Sequence, residues 1–267
     1  QKYSIELVPM NVIFGDRTYL DGIDITPAEF YALLRQAKEL PTTSHSSPGA
    51  HLLAYRRASL RANNILCITL SSKFSGQFNS ALAAMEIAKE SLPDVTIKVL
   101  DCGTAAAAQG LVVLAAAKAA ASGQTLTGVI TTANSVAKRV SLLAMMDTLD
   151  YLVKSGRVRR AAALASSMLR LKPIFTLNQG DARPVTNART TLGAIKRIVK
   201  LMGQKIVTGQ PLHVAVMHAD ALDDALVLRD QISSQFDCAE LFITEFTPVM
   251  GVHIGPGLIG IAFYSGD

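Results

Sequence analysis

Three short stretches carry residues that could hold an anionic oxygen. TTSHSSPGA (42–50) sets hydroxyls and a histidine ahead of a Pro-Gly pair, and SSKFSG (71–76) repeats the hydroxyl-rich pattern. GVHIGPG (251–257) places three glycines and a proline around His253, the composition of a tight loop bringing backbone and imidazole close to something. Hydroxyls at helix N-termini suit carboxylate or phosphate oxygens, because the unpaired N–H groups there carry partial positive charge. Each stretch also has an ordinary reading. Ser and Thr are among the commonest N-caps, and Ser47 before Pro48 reads as a plain cap. Thr43 and Ser75 stand between cap and ligand contact. His45, His51, His213 and His218 read as structural histidines, with His253 the one in a functional setting. Arg189 opens a long helix, where a solvated arginine is the ordinary reading. KSGRVRR (154–160) concentrates Lys154, Arg157, Arg159 and Arg160, either an exposed turn or a dock for an acidic partner or lipid surface.

Alternating strands and helices must position these groups. IELVPMNVIF (5–14), NILCITL (64–70) and VTIKVLD (95–101) read as strands. Helices follow over about 26–40 (opened by Thr26-Pro27-Ala28-Glu29), 48–61, 75–90 and 104–121. Short loops between them imply a parallel, doubly wound sheet. After about Asn134 the rhythm changes. RVSLLAMMD is strand-like, TLDYLVKSG and RRAAALASSML are helical, and KPIFTLNQGDARPVTNA is a hairpin turning at Asn178–Asp181. A helix over 190–207, the strand LHVAVMH, a helix from DALDDALVLRDQISS and two or three closing strands complete the chain. The expectation is an α/β protein of two units. Residues 1–136 form a parallel doubly wound unit and 137–267 an α/β unit with a mixed sheet.

Composition narrows the function. The 267 residues are 49% hydrophobic and 18% charged, without Trp, and the mean hydropathy is +0.29. That fits extensive burial and an apolar cavity beside the core. A net charge of +5 with few aromatics argues against nucleic-acid binding. Cys67, Cys102 and Cys238 lie far apart in apolar runs with no CxxC, so they read as reduced thiols of a cytoplasmic protein, with no metal site. TAAAAQGLVVLAAAKAAA (104–121) is Ala-rich and interrupted by Gln109 and Lys118, a buried helix and not a membrane span. An esterase with Ser75 as nucleophile and His253 as base is the competing class, weakened by the lack of a GxSxG elbow.

The ordered set TSHSSPGA, SSKFSGQFNSA, DCGTAAAAQGLVVLAAA, YLVKSGRVRRAAAL, LKPIFTL and GVHIGPGLIGIAFY resembles the DegV family of bacterial fatty acid-binding proteins, FakB-like lipid carriers of fatty acid kinase systems. The resemblance implies a fatty acid such as palmitate, stearate or oleate in the cleft between two α/β units, its acyl chain in an apolar tunnel. Carried over by motif, Thr43, Ser75 and His253 bind the carboxylate, with Ser44, Ser72 and Gly76 at the cleft rim. Arg189 matches the arginine associated with presentation to the partner kinase and with phosphorylation. The resemblance further implies no catalytic residue and no cofactor. The kinase makes an acyl phosphate for phospholipid synthesis, and transient contact with a membrane surface fits the basic patch. The sequence departs from the family pattern at His45 and Ser46, where Gln and Pro are usual, at Arg159 and Arg160, which replace small residues, and at Asn187, where Lys is common. The family also opens on a strand and a TDS-type loop. Here Gln1 leads straight into SIELVPMNVIF, so the first strand is expected to be missing.

Overall fold

The computed structural model describes residues 2–156, 171–178 and 180–266. The chain opens with a hairpin, β1 (Asn11–Phe14) and β2 (Arg17–Leu20), and β3 (Thr42–Ser44) pairs antiparallel to the other edge of β1. Of the strand expected over 5–14, only the last four residues are sheet. Between β2 and β3 lies α1 (Pro27–Gln36), opened by a capping box in which Thr26 and Glu29 satisfy each other's backbone N–H. Then α2 (Pro48–Ser59) starts at the Ser47 cap with Pro48 at its first position. A βαβ unit follows. β4 (Asn64–Thr69) and β5 (Thr96–Asp101) run parallel, with α3 (Gln77–Ser91) as the crossover. The parallel pairing of the first half is thus carried by two strands beside a three-stranded antiparallel sheet.

Two paired helices come next, α4 (Ala106–Ala121) and α5 (Leu126–Arg139). The proposed division between residues 136 and 137 falls inside α5. The rest of the chain builds one mixed six-stranded sheet from β6 (Ser141–Met145), β7 (Lys172–Asn178), β8 (Asp181–Ala188), β9 (Leu212–His218), β10 (Glu240–Glu245) and β11 (Ile259–Ser265). Its spatial order is β10-β9-β11-β6-β7-β8, with β9 and β10 parallel and the other pairs antiparallel. The hairpin closes at the Asn178–Asp181 pair, where the sequence places its turn. Helices α6 (Asp150–Ser155), α7 (Thr191–Gly203), α8 (Leu222–Ser233) and α9 (Pro248–Ile254) complete the described elements. The expected RRAAALASSML helix and Arg157, Arg159 and Arg160 lie outside the described residues.

Strand alternation sorts the sheet's side chains onto two faces. Leu143, Met145, Val214, Val216, Ile259, Ile261 and Phe263 pack against α7 and α8. Leu142, Ala144, Ala215, Met217, Ala262 and Tyr264 face α4 and α5. All seven residues of both β9 and β11 are buried, which explains why LHVAVMH reads as a continuous apolar run. The core on the α4–α5 side also takes in Val12, Ile25, Phe30, Tyr31 and Leu34 from the start of the chain. Among the described residues no helix is long and apolar enough to cross a membrane.

Candidate functional site

A cavity of about 2010 Å³ opens between the β1–β3 sheet, the β4–β5 unit and the six-stranded sheet. Its walls are mostly apolar. They include Ala106, Gly110, Val113 and Ala117 along α4, with Phe175 and Met217 from the large sheet. Every residue from Asn64 to Thr69 also lines it, and among the described residues β4 pairs only with β5.

Polar groups gather along one part of the wall. Thr43, Ser44, His45, Ser75, Gly76, Gln77 and His253 all line the same cavity. Thr43 Oγ1 and His253 Nε2 lie 3.1 Å apart, within hydrogen-bonding distance. The register that pairs Thr43 with Val12 fixes one partner. α9 fixes the other, because His253 sits in its last turn and not in a loop. The glycines of GVHIGPG act by close approach even so. A Cβ on Gly251 would overlap the Phe30 ring and stand 3.0 Å from the Tyr31 hydroxyl, and Gly255 (φ +67°) packs against the Tyr151 ring where a side chain would collide.

The N-terminus of α9 is held from far away in sequence. The Thr247 side chain makes no capping bond there. Instead the Val249 N–H donates to Asp21 Oδ1 at 3.2 Å. Burial pushes the Asp21 carboxyl above its ordinary range, against the pull of bonds from Thr247 and Val249. Asp21 lines the cavity, and sequence reasoning passed over it because Asp21-Gly22 looks like a turn.

Ser75 sits at the entrance to α3, where its Oγ accepts from the Gln77 N–H at 3.3 Å. Gly76 caps that helix without a side chain, and a Cβ there would fall 2.7 Å from the His45 ring. His45 Nδ1 in turn lies 3.2 Å from Ser80 Oγ, which holds this exposed ring at the rim. Behind the rim, buried Ser46 and Gln77 form a closed pair. The Ser46 N–H donates to Gln77 Oε1 at 2.9 Å, and Gln77 Nε2 donates to Ser46 Oγ at 3.0 Å. Ser46 Oγ itself donates to the Pro9 carbonyl at 2.6 Å. Buried His51 also lines the cavity, and loss of water pushes its pKa down, so the ring is held neutral.

Three further positions divide by their place relative to the cavity wall. Ser44 lines the cavity, but its Oγ accepts from Asn11 Nδ2 at 3.0 Å. Ser72 is exposed and outside the cavity wall, its N–H given to Asp101 Oδ2 at 3.1 Å, which corrects its expected place at the rim. Arg189 is exposed at the β8–α7 junction, also outside the wall, because the strand ends at Ala188 and α7 begins from the Thr190 cap.

Hydroxyls and imidazoles beside a largely apolar cavity suit an acceptor headgroup joined to a hydrocarbon body. No group of three or more His, Cys, Asp or Glu among the described residues is arranged to hold a metal ion.

Comparison with known proteins places the chain. A family model described as "uncharacterised protein, DegV family" matches residues 1–266. A DegV domain-containing protein of Streptomyces coelicolor is 34% identical over 267 residues, covering 99% of this chain and 92% of the relative. Protein DegV of Bacillus subtilis is 30% identical over 263 residues, covering 98% and 92%. Among solved structures, a DegV family protein of Thermus thermophilus, described by its fatty acid binding, superposes with a TM-score of 0.91 at 28% identity, covering 99% of this chain and 93% of that one. DegV of Bacillus subtilis, described as a fatty acid binding protein, superposes at 0.88 with 29% identity and the same coverage. With the α/β fold, the cavity and these matches over nearly the whole chain, the protein belongs to the DegV family.

Proposed function

We propose that this protein is a fatty acid carrier and not an enzyme. A long-chain acid such as palmitate, stearate or oleate places its carboxylate among Thr43, Ser75 and His253 and its acyl chain against α4, between units 1–136 and 137–267. The observation that carries the reading is the Thr43–His253 contact at the edge of a cavity with largely apolar walls. Burying each methylene is worth about 0.8 kcal/mol, so a 16-carbon chain offers on the order of 10 kcal/mol. Hydrogen bonds to the carboxylate, at roughly 1.5–3 kcal/mol each, set orientation more than affinity. The fatty acid-binding descriptions of the Thermus and Bacillus structures support the same ligand class.

In this reading the carrier works in the cytoplasm and hands the acid to a kinase, which phosphorylates the carboxylate to an acyl phosphate for phospholipid synthesis. Exposed Arg189 meets that partner. Native mass spectrometry of the purified protein tests the ligand, with bound fatty acid expected. A protein that is empty and also fails to bind oleate or palmitate overturns the reading. Arg189→Ala separates the two roles: it keeps fatty acid affinity and loses transfer to the kinase by about tenfold or more.

A further inference from the structure

Ser46 and Gln77 join two segments that lie far apart in sequence. Ser46 stands three residues after Thr43, between β3 and α2, and Gln77 stands two residues after Ser75, at the first position of α3. Both residues are buried. The Ser46 N–H donates to Gln77 Oε1 at 2.9 Å and Gln77 Nε2 donates back to Ser46 Oγ at 3.0 Å, so each residue gives and takes. The Ser46 hydroxyl sends its own proton to the Pro9 carbonyl at 2.6 Å, which anchors the pair to the segment before β1. Gln77 also acts through its backbone, because its N–H donates to Ser75 Oγ at 3.3 Å. A hydroxyl that accepts in this way keeps its one proton for an acceptor such as a carboxylate. Thr43 is fixed in turn by its pairing with Val12 and by its contact with His253.

We propose that Gln77 is a positioning residue: clasped to Ser46, it holds the Thr43 and Ser75 hydroxyls so that both reach one headgroup, and the site thereby prefers a carboxylate to a neutral headgroup on the same hydrocarbon chain. Hydrogen bonds weaken steeply once donor and acceptor leave their line. Two hydroxyls on separate segments therefore serve one carboxylate only where the segments are fastened together. The Gln77 amide is engaged with Ser46, so it acts through Ser75 and Thr43. This role rests on the fatty acid reading above, because it concerns how that headgroup is met.

Displacement of Nile red, a neutral probe, by oleate and by oleyl alcohol compares the two headgroups on one hydrocarbon chain. The unaltered protein is expected to bind oleate more tightly. Gln77→Leu, which keeps bulk and loses the amide, should weaken oleate about tenfold and leave oleyl alcohol within about twofold. A residue that merely stabilised the fold would lower both alike. Ser46→Ala, the milder change, should shift the ratio the same way by several-fold, and it decides the matter where circular dichroism shows Gln77→Leu unfolded. Gln77→Glu adds a pH readout. The ionised side chain cannot donate to Ser46 Oγ and brings a negative charge towards the ligand, whereas the protonated acid presents one acceptor and one donor, as the amide does. Burial raises a carboxyl pKa, so oleate affinity relative to the unaltered protein should be lowest near about pH 8 and recover towards about pH 5.5. His45 and His51 are common to both proteins. Folded variants that keep the preference for oleate overturn the positioning role, as does a Gln77→Glu ratio that ignores pH. Equal affinity of the unaltered protein for both ligands overturns it while leaving hydrocarbon binding in place. An unaltered protein that binds neither ligand defeats the fatty acid reading itself, and the positioning role falls with it.

Discussion

Thr43 and His253 stand 210 positions apart and meet at 3.1 Å, so each orients the other before any ligand arrives. Thr43→Val keeps the shape and removes the hydroxyl. We expect fatty acid affinity to fall roughly tenfold, the worth of one hydrogen bond to a charged group, with little change in melting temperature; calorimetric titration checks it. His51 makes a different prediction. Its pKa is pushed below the ordinary 6.5 by burial, so the unfolded chain takes up its proton first as pH falls. The stability from holding it neutral is fully present above 6.5 and is lost as pH drops through the lowered folded value. Denaturant titrations should show stability declining below pH 6.5, and His51→Phe should flatten part of that slope, leaving the share due to His218, which is shifted the same way by burial. An unchanged slope in a folded His51→Phe protein counters the assignment.

At the scale of elements, α9 shows how a short helix carrying His253 is kept in place. Seven residues with Pro at the start and a glycine inside have little intrinsic helical stability. Asp21 at one end and the Phe30 and Tyr31 rings against Gly251 hold it. Asp21→Ala should therefore cost about 1 kcal/mol, as loss of a cap does, and weaken fatty acid binding several-fold through His253. Asp21→Asn, which keeps an acceptor, should recover much of both in paired melting and binding measurements. The elements that escaped sequence reading share a cause. β2 and β3 are too short and polar to show an alternating pattern. α5 is rich in Thr, Val and Ile, which locally favour strands, and becomes helical by burying Val129, Ala133 and Val136. α9 reads as a loop because Gly251 answers a tertiary contact, not a local preference. By contrast, α1 and α2 announced their starts through Thr26 and Ser47, whose caps act within a few residues.

For the whole molecule, the core on the α4–α5 side gathers residues from Val12 to Tyr264, so the walls of the cavity belong to both ends of the chain. A ligand filling that cavity binds the folded state alone. Fatty acid at a hundred times its dissociation constant should add about 2.7 kcal/mol, a rise in melting temperature of roughly 5–10 °C for a chain of this size. Scanning calorimetry with and without oleate measures it, and no shift at saturation would contradict the proposed ligand.

The amino-acid order alone determined the α/β class, the starts of α1 and α2, the 178–181 turn and the strands of the mixed sheet, because caps, turns and apolar periodicity act over a few residues. It also marked Thr43, Ser75 and His253 by residue type and by family pattern. Only the tertiary structure decided that these three line one cavity, that Ser72 and Arg189 lie outside it, and that Asp21 holds the helix bearing His253. Those outcomes depend on strand register and on packing between segments far apart in the chain, which no local pattern encodes.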